Sequence, residues 1–415
     1  MIPKNLRPGE LASALPAGGL TLVSSCSAES DLLVAEVAAA GEALGAMDFS
    51  GVFVPGLNRA TWTAGERSTV TTFFKTPDLA ATGTRAQFLP LCYQDALAWY
   101  RKQKPQAALF MCSPPDADGY CSFGTEHAFI AALWRDIPVK IAHINPAMPR
   151  PLGDRGIPFA SLTACYEGAQ TLRTMASGAD DETSAEIGHL IAEVVPNGAT
   201  LQTGLGKIPD AVLRALASHR NLRIHTGLIG DGVLSLFAGG AMASGQSALI
   251  GVAIGSQALY DALDHPSFQF QPVTVTHDPA TLARIDALVT INSAMEIDLY
   301  GQVHAEASSR GFLSGPGGAG DFARAGRVAS GGLRIIALPS TAGRTSRIVP
   351  PGTGHGPVSL SRFDVDVIVT EHGRADLRFL GHEARAQALI SIAAPAHREA
   401  LAKAWRDGMN ALQES

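Results

Sequence analysis

The chain is poor in charge and in aromatic residues, and its cysteines form no pattern. Charged residues make up 17% of its 415 positions and aromatic ones 6%. The net charge of −6 leaves no basic excess to meet a phosphate backbone, which argues against a nucleic-acid partner. The five cysteines, Cys26, Cys92, Cys112, Cys121 and Cys165, contain no CxxC pair, so neither a zinc site nor a disulfide framework is signalled. No stretch approaches the ~18 uninterrupted apolar residues of a membrane span, which argues against a membrane partner. Val23-Ser24-Ser25-Cys26 has the look of a lipoprotein cleavage site, but Glu10 and Pro16 interrupt the apolar run that should precede it. The expectation is a soluble, reduced, cytoplasmic protein.

Apolar residues, at 46%, are plentiful enough for extensive cores, and the length exceeds the roughly 250 to 300 residues at which a single core stops growing. Two domains are therefore expected, and a small-molecule enzyme is the favoured class. Short apolar runs alternate with helical patterns throughout. Strands are predicted at 19–23, 53–57, 107–112, 139–144, 200–203, 222–225, 287–291, 334–338 and 365–370. Helices are predicted at 30–44, 94–102, 122–134, 184–194, 210–217 and 384–391. Such alternation indicates an α/β fold with largely parallel sheets. The small, polar stretch 176–184 marks the expected break, giving an N-terminal α/β domain over 1–183 and a C-terminal α/β domain over 184–415.

Two glycine loops stand out. Thr203-Gly204-Leu205-Gly206-Lys207-Ile208-Pro209 lies between a predicted strand and a helix that Pro209 opens. Its amides suit a phosphate or a developing oxyanion, although a plain strand-to-helix turn would read the same way. Ser314-Gly315-Pro316-Gly317-Gly318-Ala319-Gly320 carries more glycine than a turn needs, which points to backbone pressed against a ligand. A third segment, from Thr370 to Leu377, has the form of a helix-capping turn. His225, His277, Glu296, Asp298, His304, Glu306 and His355 are candidate acid/base groups, each more often structural than catalytic. There is no GxSxG elbow and no HExxH spacing, which disfavours a serine hydrolase and a metal hydrolase, so no metal is expected.

Further segments follow in order: Ser113-Pro114-Pro115-Asp116 with Gly119-Tyr120-Cys121-Ser122, Asn145-Pro146-Ala147-Met148-Pro149-Arg150, the first glycine loop with its helix, Ile291-Asn292-Ser293-Ala294-Met295-Glu296, the second glycine loop, Ser346-Arg347-Ile348-Val349-Pro350 and Val369-Thr370-Glu371-His372-Gly373. Taken together they resemble the acetyl-CoA hydrolase/transferase family of CoA-transferases, which includes 4-hydroxybutyrate, butyrate and acetate CoA-transferases. The resemblance implies two open α/β domains with the active site between them, commonly in a homodimer. It implies coenzyme A or acyl-CoA as substrate rather than a tightly bound cofactor, with a small carboxylate or other acyl acceptor as second partner. CoA-binding positions carry over to Gly204, Leu205, Gly206, Lys207, Ile208, Gly318 and Thr341, and the amide of Gly318 would help form the oxyanion hole.

Two departures accompany the likeness. Relatives carry an asparagine in a short N-x-P turn that here reads His277-Asp278-Pro279, and their nucleophilic glutamate falls on Gly227 in Ile224-His225-Thr226-Gly227. Glycine cannot form the acyl anhydride or glutamyl thioester of the family's covalent route. Three outcomes follow: hydrolysis or direct acyl transfer with Glu296, His277 or His225 as base; CoA transfer with a relocated nucleophile, for which Glu296 is the nearest candidate; or a CoA-binding protein without turnover.

Overall fold

The computed structural model describes residues 2–175, 178 and 181–413. Four positions of the expected inter-domain stretch, 176, 177, 179 and 180, lie outside the described residues. The chain forms two compact units. The first consists of Met1–Ala176, Thr226–Ile229 and Gly245–Asp278; the second of Ser177–His225, Gly230–Ser244 and Pro279–Ser415.

The first unit is built on an all-parallel sheet in the order Lys4–Asn5, Ala164–Glu167, Val139–Ile144, Ala107–Cys112, Gly19–Val23, Met47–Gly51, Thr69–Thr72, Ala86–Phe88. Ala107–Cys112 is buried at all six positions, as a strand covered on both faces must be, so it has no polar alternation. The chain winds outward from Gly19–Val23 in one direction through Met47–Gly51 and in the other through Ala107–Cys112. Leu33, Val37, Phe49, Phe53, Val70 and Leu109 belong to the core against this sheet. The helix Asp31–Ala40 begins where Ser30 Oγ accepts the Leu33 N–H, a side-chain cap that satisfies one of the free amides of the first turn.

The strand predicted at 53–57 is instead Met47–Gly51. Pro55 has no N–H for a ladder, and Gly56 adopts φ +85°, so these residues turn. Thr69–Thr72, Ala164–Glu167, Ala248–Ala253 and Phe268–Phe270 are strands beyond those predicted.

Residues 245–278, which a boundary at 183 assigns to the C-terminal domain, pack into the first unit for a visible reason. Ala248–Ala253 pairs in parallel with Phe268–Phe270, and that strand pairs with Leu152–Gly153. Val252 also bridges Glu126, and the His127 N–H donates to the Gly251 carbonyl.

The second unit carries parallel strands in the order Val367–Thr370, Leu333–Ala337, Leu288–Ser293, Thr200–Thr203, followed by Arg223 and Ile224. Gly373–Asp376 adds an antiparallel edge. The expected capping turn at 370–377 is therefore a hairpin, tightened at Gly373, whose φ of +136° few side-chain-bearing residues adopt. A smaller sheet joins Val303–His304, Glu296–Asp298 and Ile348–Val349. Glu182–Ala192 and Lys207–Ala215 pack closely together, and Pro395–Gln413, absent from the predicted helices, closes the chain against His382–Ser391. Among the described residues, no helix is long and apolar enough to cross a membrane.

Candidate functional site

In the second unit, Thr200–Thr203 ends at the first glycine loop. Gly206, at φ +117°, directly precedes the helix Lys207–Ala215. A side chain at that φ would be strained, so glycine is what lets the loop turn straight into a helix whose first amides lack partners. Leu205, Gly206, Lys207 and Ile208 line a cleft of about 390 Å³ together with Ser293 and Arg347. The Lys207 ammonium lies 3.4 Å from the Asp181 carboxylate, both half-exposed, and the partly buried Arg347 adds a second cation. Gly204 precedes the cleft in sequence. Arg347 and the Lys207–Asp181 ion pair line this concave surface beside the start of a helix, an arrangement that suits an anion.

Gly318 and Thr341 are not part of that wall. Gly318 caps the helix Ala319–Val328 with φ −89°, immediately after Gly317 at φ +56°, so its amide lies at the start of a helix. Thr341 sits in the hairpin that pairs Thr341–Ala342 with Thr345–Ser346. A larger groove of about 520 Å³ on the same unit contains no predicted residue, and its Arg374 is already paired with Glu193.

Glu296 is buried, and both its oxygens are engaged by His355. The His355 N–H donates to Oε2 at 2.8 Å, and Nδ1 lies 2.8 Å from Oε1 and 3.0 Å from Oε2. Asp298 accepts from the Tyr300 and Gln302 amides and so shapes a turn. Glu306 accepts from the Ser359 hydroxyl, and His304 is buried against Gly354. His225 is buried in its strand.

In the first unit the two sequence departures meet. A Cβ placed on Gly227 would stand 2.6 Å from Cε1 and 2.9 Å from Nε2 of His277. The imidazole therefore covers the position from which a side chain at 227 would start. His277 is 2% exposed, its Nδ1 lies 2.9 Å from Thr276 Oγ1, and its ring lies 4.7 Å from that of Tyr93. The Thr276 hydroxyl lies 3.4 Å from the Pro272 carbonyl and 2.9 Å from Nδ1, so with the ring proton assigned to Nδ1 it accepts from Nδ1–H. That assignment gives Nε2 the lone pair, and with it the capacity to take a proton.

The residue reasoning missed is Glu126. Its Oε2 accepts the Ser25 N–H at 2.8 Å and its Oε1 the Ser25 hydroxyl at 2.9 Å, while Ser25 Oγ accepts the Val52 N–H. Burial pushes its carboxyl up to about 8, and the Ser25 bonds only partly offset this. A lone glutamate in a glycine-containing stretch gives no signal for this in sequence. The folded protein therefore holds a proton on Glu126 that the unfolded chain releases above its ordinary value of 4.5. This contribution to stability is full below that value and is lost as pH rises through about 8, each pKa unit being worth about 1.4 kcal/mol. Neighbouring His127 acts in the opposite direction: burial holds it down to about 4, so its contribution falls as pH drops below 6.5. Glu126→Gln should melt higher than the parent at pH 8.5 and near it at pH 5.5. Parallel melting curves from pH 5 to 9 would show that Glu126 is not the titrating group.

Residues 255–405 match the sequence model of the acetyl-CoA hydrolase/transferase C-terminal domain. The chain is 35% identical over 333 residues to the 4-hydroxybutyrate coenzyme A transferase of Clostridium kluyveri, covering 78% of each protein. It is 36% identical over 341 residues to a succinyl-CoA:acetate/propanoyl-CoA:succinate CoA transferase of Fasciola hepatica, covering 79% of this chain and 71% of that one. The crystal structure of RipA from Yersinia pestis superposes with a TM-score of 0.88 at 27% identity, covering 98% of this chain and 97% of that one. With the α/β fold and its parallel sheets in place, these likenesses establish that the chain belongs to the acetyl-CoA hydrolase/transferase family of CoA-transferases.

Proposed function

We propose that this chain processes an acyl-CoA thioester without a glutamyl-CoA intermediate, by hydrolysis or direct acyl transfer. The observation that carries the reading is the His277 imidazole lying over Gly227, where the resemblance places the family's nucleophilic glutamate. The resemblance assigns CoA to Gly204, Leu205, Gly206, Lys207, Ile208 and Thr341, of which Leu205, Gly206, Lys207 and Ile208 line one cleft. His277 Nε2 takes the proton of a water or hydroxyl acceptor as its oxygen attacks the acyl carbonyl. The resemblance assigns the oxyanion contact to the Gly318 amide, a type of contact worth about 2.7 to 4 kcal/mol elsewhere. Collapse breaks the C–S bond, the thiolate departs, and the imidazolium returns the proton to sulfur. Glu296 is a poor nucleophile in this arrangement because His355 engages both its oxygens.

Incubation with acetyl-CoA alone should release free thiol. Adding acetate, propionate or succinate should not be required and should not produce a new acyl-CoA. Turnover that requires the carboxylate would overturn the reading, as would CoA binding with no thiol released either in water or with an added alcohol as acceptor.

A further inference from the structure

Tyr93 opens the helix Tyr93–Gln103, which is anchored by the buried Ala96, Leu97 and Tyr100. Its ring is only partly buried, and its centroid lies 4.7 Å from that of His277 with the planes tilted by 39°. Behind it stands Phe129 at 5.3 Å, itself backed by Tyr100 at 5.4 Å, whose hydroxyl bonds Ser50 Oγ at 2.9 Å. The short helix Val273–Thr276, which leads into His277, packs against both Tyr93–Gln103 and Ala128–Leu133. The imidazole thus has Thr276 at Nδ1, the Gly227 backbone along its Cε1–Nε2 edge and an aromatic ring against it. Residue 227 has no side chain to pack against the ring, and Tyr93 supplies an aromatic contact beside the Thr276 hydrogen bond.

We infer that Tyr93 is a positioning residue for His277, holding the imidazole over Gly227 through its aromatic ring. This rests on the reading of His277 as the base. A base displaced by about 1 Å loses on the order of 10²-fold in rate. An aromatic ring near an imidazolium also favours the protonated form, so removing the ring changes the pH at which the base titrates.

The test uses the full chain, acetyl-CoA and thiol release between pH 5 and 9. Tyr93→Phe should keep kcat within about threefold, since the ring is retained. Tyr93→Leu should lower kcat by about 10- to 100-fold at little-changed KM and move the acid limb of the kcat profile to lower pH. Should the leucine variant fail to fold, Tyr93→Met, which is flexible and lacks a π face, takes its place. In a His277→Gln background the Tyr93 substitution should cost nothing further. Parental kcat and an unmoved acid limb in Tyr93→Leu or Tyr93→Met, with turnover lost in His277→Gln, would overturn the inference alone. Turnover retained in His277→Gln would instead overturn the base assignment on which it rests.

Discussion

Gly227→Glu alone should give a destabilised protein that never acquires CoA covalently, whereas Gly227→Glu combined with His277→Asn should give a glutamyl-CoA adduct on incubation with acetyl-CoA. Backbone conformation is no obstacle to the single change, because Gly227 is not among the glycines with positive φ. The obstacle is the imidazole 2.6 Å from the new Cβ. That ring is buried and held by Thr276 and Tyr93, so it cannot step aside without breaking a hydrogen bond and an aromatic contact. Forcing extra atoms into such packing costs about 1–3 kcal/mol. Asparagine at 277, the residue the resemblance gives relatives, is smaller and opens that space. Intact-mass spectrometry after mixing with acetyl-CoA and removing free ligand reads the outcome directly. An adduct on the single variant would show that the imidazole does not block the position. A folded double variant that binds CoA without an adduct would show that 227 is not the nucleophile position.

Much of the sheet architecture is legible in sequence because parallel strands covered on both faces are continuous apolar runs. Ala107–Cys112 is found at its true bounds for that reason, and Val139–Ile144 is found too, although Lys140 and His143 interrupt its apolar run. Thr69–Thr72 escapes because three of its four residues are threonines, and Ala248–Ala253 because Gly251 interrupts it. Pro395–Gln413 escapes because lysine, arginine, histidine and Gly408 dilute its apolar stripe. The glycine loops are legible because glycine at positive φ, as at Gly206 and Gly317, leaves a compositional mark. The relation between residues 227 and 277 leaves none. Each is visible as a departure from a pattern, but their contact depends on Thr226–Ile229 and Gly245–Asp278 folding into the same unit, a long-range fact that local periodicity does not carry.

The second large effect follows from the same pair. His277→Gln should lower kcat for thiol release by about 10²- to 10⁴-fold, the range typical of a lost general base, while KM changes little. Glutamine is chosen because it retains polar groups and much of the imidazole's length, so the shell around Tyr93 and Thr276 is disturbed less than by alanine. Its amide has no basic nitrogen at neutral pH, so the acid limb of the kcat profile should disappear along with the rate. KM should hold because CoA is assigned to the loop from Gly204 to Ile208 and to Thr341, and the substitution removes none of these groups. A variant that loses affinity and rate together would indicate a packing role for His277. One that keeps parental kcat would place proton abstraction on another group, with His355, whose Nδ1 is held by Glu296, the next imidazole to substitute.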